Sequence, residues 1–98
     1  MIILYSDENI DILGEEHEDF PECIFIHSYV KYFSISRYKD IKCIWQDIVQ
    51  QLKQQEYKYV LCIPPGKKEE KWESKFGFKY LNLDIGDKKL MGIKLWEV

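Results

Sequence analysis

From Asp40 onward the apolar positions Ile41, Ile44, Trp45, Ile48, Val49 and Leu52 follow the i, i+3, i+4, i+7, i+8, i+11 spacing of one helical face. The stretch from Ser36 to Gln55 therefore predicts the chain's principal helix, entered through a charged loop with Asp40 as its N-cap. A run of strand type, Cys23 to Phe33, precedes that loop. The order is strand, turn, helix. A helix that starts just after a strand aims its first N–H groups, and the positive end of its dipole, at whatever lies over the turn, a place that favours anions.

Elsewhere the periodicity is that of strands. Ile2–Tyr5 and Ile10–Leu13 flank the turn formers Ser6, Asp7, Glu8 and Asn9 and predict an opening hairpin, ended by Gly14. Along Cys23–Phe33, Ile24, Ile26, Ser28, Val30 and Tyr32 share one face, and Cys23, Phe25, His27, Tyr29 and Lys31 the other; both are largely apolar, as in a strand covered on both sides. Tyr57–Ile63 is a second buried strand, closed by Pro64 and Pro65, so strand, helix and strand predict a right-handed βαβ unit with parallel neighbours. Gly66–Phe76 is a weaker helix with Trp72 and Phe76 as i, i+4 core anchors and Gly77 as its left-handed C-terminal cap. Phe78–Leu83 and Leu90–Val98, joined through Gly86-Asp87, close the chain as an antiparallel hairpin.

With 98 residues, 46% hydrophobic and 15% aromatic, the chain is one small domain of mixed α/β (α+β) class that can fold despite 32% charged residues. A net charge of -3 argues against general nucleic-acid binding. Cys23, Cys43 and Cys62 are odd in number and widely spaced, without CxxC or paired histidines, so neither a disulfide framework nor a zinc site is expected. A reducing compartment, the cytoplasm (of a host cell if the source is viral), fits this, as does the lack of a signal-like start or a membrane-length apolar run. The helical spacing puts Cys43 on the polar side, which predicts the most reactive of the three thiols.

Two clusters carry candidate chemistry. Glu15, Glu16, His17, Glu18 and Asp19 offer metal-ligand types, but five consecutive positions cannot all face one ion, and the run reads as a solvated loop. His27, alone in a semi-buried row, is either a core histidine satisfied by a local hydrogen bond or a general base beside a cleft.

The order of elements, Arg37–Leu52 and the segment KWESKFGFKYL at Lys71–Leu81, where a short helix ends in Gly-Phe and re-enters the sheet, resembles the GNAT family of acyl-CoA-dependent N-acyltransferases. The likeness covers about Cys23 to Val98 and is closest to short, phage-type or accessory members lacking the usual first strand and two helices. It implies a truncated mixed sheet with a central βαβ unit, a short second helix and a C-terminal hairpin. Acetyl-CoA or another acyl-CoA would be the donor, and an amine of a small molecule or protein the acceptor. The resemblance implies cofactor contacts from Val30, Tyr32, Arg37, Tyr38, Lys39, Asp40, Ile41 and Lys42, with Arg37 at the Q/R position of the family's Q/R-x-x-G-x-G/A turn. Asp40 and Lys42 stand where that turn has glycines, so Arg37, Lys39 and Lys42 would hold the pyrophosphate by side chains. Glu73 stands where the family often has a tyrosine acid, and His27 is the best substitute for its base. A catalytically inactive relative that binds another protein is the alternative. With the covering N-terminal helices missing, an exposed sheet face or edge would favour a homodimer or a partner.

Overall fold

The computed structural model describes residues 1–32, 34–81 and 90–98, as a mixed sheet with two helices. The strands are β1 (Ile2–Ser6), β2 (Ile10–Glu15), β3 (Cys23–Val30), β4 (Tyr59–Cys62), β5 (Lys79–Tyr80) and β6 (Met91–Lys94). They lie in the order β1-β2-β3-β4-β6-β5. Helix α1 (Ile35–Gln54) connects β3 to β4, which run parallel; α2 (Lys67–Ser74) follows β4, and the remaining neighbours are antiparallel. No helix among the described residues is long and apolar enough to cross a membrane.

The opening hairpin turns where Asp7 takes the Asn9 and Ile10 N–H groups on its Oδ1 at 2.7 and 2.9 Å, a side-chain mimic of a backbone turn. Strand β2 runs through Gly14 to Glu15 rather than ending at the glycine. A Cβ on Gly14 would lie 2.6 Å from Ile24 Cδ1, so the position is held by packing rather than by a turn.

Strand β3 ends at Val30, so Lys31 and Tyr32 fall outside the strand that the alternation suggests, and Phe33 lies outside the described residues. After Val30 the chain bends, and the Lys31 and Tyr32 N–H groups both go to the Asn9 carbonyl at 2.6 and 3.2 Å. Burial on both faces holds only for Cys23, Ile24 and Phe25.

The entry of α1 differs from expectation. Arg37, Tyr38, Lys39 and Asp40 are helical, and the N-cap is Ser34, whose extended backbone turns its Oγ to accept the Arg37 N–H at 3.3 Å. The reason is tertiary. Tyr38 extends the apolar stripe by one turn, its ring meeting Trp72 and Phe76 edge-on at 6.2 and 5.8 Å, so the helix gains by starting earlier. Asp40 is exposed within the second turn and cannot cap. Helix α2 is shorter than Gly66–Phe76, with Gly66 as its N-cap, while Gly77 adopts φ +98° as expected of a left-handed terminus. The last strand gives way to a 3-10 turn at Leu95–Glu97. The Asp84–Lys89 turn, with Gly86-Asp87, lies outside the described residues.

Both helices pack on one face of the sheet. There Ile10, Ile12, Ile24, Val60, Cys62, Phe78 and Met91 meet Ile41, Trp45, Ile48, Val49 and Leu52 of α1, with Trp72 and Phe76 partly buried against them. The other face carries a smaller cluster of Cys23, Phe25, Leu61 and Leu90 under Phe20, Tyr59 and Leu81. Cys43 is exposed and Cys23 and Cys62 are buried, as the helical face of Cys43 requires.

Two outcomes follow from the α1 geometry. Ser34→Ala should lower stability in urea by about 1 kcal/mol, whereas Asp40→Ala should stay within about 0.5 kcal/mol; the reverse order would move the helix start back to Asp40. Limiting iodoacetamide on the native protein should label Cys43 first by peptide mapping, and initial labelling of Cys23 or Cys62 would contradict the packing.

Candidate active site

Strands β3 and β4 pair only from Cys23↔Tyr59 to Phe25↔Leu61. Beyond that point β3 continues for five residues, Ile26 to Val30, beside β2 alone, and β4 ends one residue on at Cys62. Two parallel strands that stop pairing expose alternate backbone N–H and C=O groups on the facing edge, because a strand's donors and acceptors point to both sides. Helices α1 and α2 each leave the C-terminal end of one of these strands, and both contribute side chains beside the gap.

The gap forms a pocket. Its walls are Ile26 and Ser28 of β3, Ile10 and Ile12 of β2, Ile41 and Trp45 of α1, Cys62 of β4, Trp72 and Glu73 of α2, and Phe76 and Phe78 beyond it. The opening measures about 420 Å³ including solvent-facing space. Trp45 lines it from α1. Its indole stacks on Phe78 with ring centroids 5.5 Å apart, and its Nε1–H donates to the Phe76 carbonyl at 3.0 Å, fastening α1 to the chain leaving α2.

Glu73 is the carboxylate in this apolar wall. Its pKa is raised above the ordinary glutamate value, chiefly because burial penalises the anion; the charges of Glu69 and Glu70 add to the rise, and a hydrogen bond from Cys62 Sγ to Oε2 at 3.2 Å opposes it. The Cys62 thiol is pushed up too, first by its own burial and then by Glu73. Two protonatable groups thus face an apolar gap with their neutral forms favoured, a setting in which a carboxyl can deliver a proton.

His27 does not join them. It shares the strand face of Cys23 and Phe25, opposite to Ile26 and Ser28, and therefore lies on the far side of the sheet from the pocket. There its Nε2 is 3.1 Å from Glu15 Oε2, while His17 Nε2 is 3.2 Å from Glu15 Oε1 and the His17 ring packs edge-on against Phe25. His27 thus makes a local contact to Glu15 from a partly exposed position outside the pocket. No group of three His, Cys, Asp or Glu among the described residues could hold a metal ion.

Of the residues named for cofactor contact, Ile41 lines the pocket and Tyr38 packs against two of its walls. Val30, Tyr32, Lys39, Asp40 and Lys42 are exposed around the end of β3 and the start of α1. Arg37 is engaged elsewhere: with the Asn9 amide turned oxygen-first, that oxygen accepts from Nη2 at 2.7 Å and Nε at 3.2 Å, and Asp40 Oδ2 lies 3.8 Å from Nη1. The same guanidinium helps to hold the Asp7 carboxyl below the usual range, a smaller cause than the hydrogen bond from Tyr5. Arg37 ties the opening hairpin to α1.

The Cys62–Glu73 pair and the hairpin's share of the wall were not foreseen. A signal existed. Alternation along Tyr57–Ile63 puts Cys62 on the face of Val60, and Glu73 follows the anchor Trp72 on a short helix whose other acids fall in its first turn. Trp72 and Phe76 are core anchors and pocket walls at once. A scan against protein-family models and a search of curated proteins returned no match.

The Glu73 assignment carries a pH signature. A carboxyl whose folded value lies above its unfolded one favours the fold when protonated, so its contribution is present below the unfolded value and is lost as pH rises through the folded one. Glu73→Gln, a fixed neutral mimic, should raise the thermal midpoint at pH 7 to 8 by a few degrees, with the gain fading towards pH ~4, near the unfolded glutamate value. Scanning calorimetry showing a lower midpoint at neutral pH would mean that the anion is the stabilised form.

Proposed function

We propose that this chain is an acyl-CoA-dependent N-acyltransferase of GNAT type that moves a small acyl group to an amine. The observation that carries the reading is the parting of β3 and β4 after Phe25 and Leu61, which leaves an apolar pocket between α1 and α2 with one half-buried carboxyl, Glu73, in its wall. In a thioester transfer the acyl carbonyl needs hydrogen-bond donors as its oxygen gains charge, and the unpaired edge of β3 from Ile26 to Val30 offers backbone N–H groups beside the gap. The acceptor nitrogen attacks the carbonyl carbon, the carbon–sulfur bond breaks, and Glu73, whose protonated form its half-buried setting favours, donates to the departing thiolate. The amine's proton leaves to water, since His27 is on the other face. The wall, built of Ile, Trp and Phe side chains, suits an acyl group of a few atoms.

The pyrophosphate would sit over the start of α1. With Ser34 as cap, the Ile35 and Ser36 N–H groups have no helical acceptor, and the first turn carries no acid to compete with a phosphate. Lys39 and Lys42, both exposed on α1, supply charge; the Arg37–Lys42 backbone is committed to the helix, and the Arg37 guanidinium to Asn9 and Asp40.

That engaged arginine is also the observation that favours the second reading, a protein of the same architecture that binds another protein without catalysis. Calorimetric titration of acetyl-CoA separates the two. Micromolar binding to the wild type, weakened about 10-fold by Lys39→Ala with Lys42→Ala, is the expected result for phosphate held partly by side chains. No detectable heat with folded protein would sink the acyltransferase reading and leave the protein-binding one.

A further inference from the structure

Cys62 is the last residue of β4 and is buried, and its register partner Met91 on β6 holds it in the sheet. Glu73 sits on an eight-residue helix that has no fully buried residue and no side-chain bond at its N-cap. The bond from Cys62 Sγ to Glu73 Oε2 at 3.2 Å therefore joins a fixed element to a loosely held one, inside the pocket that both residues line. A carboxyl on a long side chain turns easily about its last torsion, which has a broad, roughly two-fold profile, so its two oxygens are interchangeable until one finds a partner. A donor anchored in the sheet removes that freedom.

We propose that Cys62 is a positioning residue, whose S–H holds Oε2 of Glu73 so that the other carboxyl oxygen is presented to the pocket as the site that carries and delivers the proton. This role rests on the acyltransferase reading. Burial keeps the thiol protonated, so Cys62 acts as a donor and not as a nucleophile. Among the described residues, Glu69 and Glu70 act on the carboxyl by charge from its own helix, and the Tyr80 hydroxyl of β5 bonds Glu70. From α1 the pocket receives Ile41 and Trp45, with Tyr38 against Trp72 and Phe76, and from β2 and β3 it receives Ile10, Ile12, Ile26 and Ser28.

The test follows the Glu73 carboxyl carbon by NMR through a pH titration of the full chain as wild type, Cys62→Ser and Cys62→Ala, with kcat and KM for acetyl-CoA on the same samples. Loss of a donor that favours the anion should move the Glu73 midpoint up by about 0.5 pH unit or more in Cys62→Ala, while Cys62→Ser, with a stronger donor, stays level or falls. In turnover, Cys62→Ala should lower kcat about 10-fold with KM unchanged, and Cys62→Ser should recover most of it. A Cys62→Ala titration that coincides with wild type would overturn the proposal. If Cys62→Ala does not fold, a Cys62→Ser midpoint above the wild type overturns it equally. Should the wild type neither bind nor turn over acetyl-CoA, the acyltransferase reading fails while the titration still decides whether the thiol holds the carboxyl.

Discussion

Trp45 holds the molecule's working region together. Its indole is buried between the sheet and both helices, stacks on Phe78, and donates its only proton to the Phe76 carbonyl, at the point where the chain leaves α2. A tryptophan that buries most of its ring and satisfies its N–H provides both a large apolar contact and a directional one. Without that fastening, a helix as short as α2, with no fully buried residue of its own, would have little to fix its distance from α1. Trp45 and the Phe76 and Phe78 it touches are all walls of the pocket.

The gap itself is a consequence of strand economy. Three register pairs are enough to hold β3 and β4 parallel, and the fully buried Val60 and Leu61 anchor the shorter strand on both faces. The longer strand then continues beside β2, whose Ile10 and Ile12 turn inwards and complete the wall. The opening hairpin is thus part of the site. Its turn also reaches α1 through Asn9 on the Arg37 guanidinium, and the bend after β3 through the Asn9 carbonyl that receives the Lys31 and Tyr32 N–H groups. A domain of this size puts few residues aside for function alone; Trp72, Phe76 and Ile41 are core and wall together.

The apolar periodicities made most of the fold legible: the stripe from Ile41 to Leu52, the alternation in the hairpin strands, and the two apolar runs that became β3 and β4. Local signals also located the left-handed Gly77. The start of α1 was not legible, because Ser34 and Asp40 are both good caps and the choice between them is made by Tyr38 finding Trp72 and Phe76 far along the chain. The site was half legible. Glu73 could be singled out by its place before the Gly-Phe step, but its neighbour Cys62 lies eleven residues away on another element, and only the fold brings them together. Spacing alone did not say on which side of the sheet His27 lies relative to the helices; it faces away from the pocket, towards Glu15.

Amide spectra of the labelled protein, recorded as acetyl-CoA is added, test the central claim that the parting of β3 and β4 is a binding site. The account predicts the largest shifts at Ile26, Ser28, Ile41 and the Trp45 indole N–H, with Ile35 and Ser36 moving as the phosphates settle. Shifts concentrated at His17 and His27 on the opposite face, or none at millimolar ligand, would contradict it.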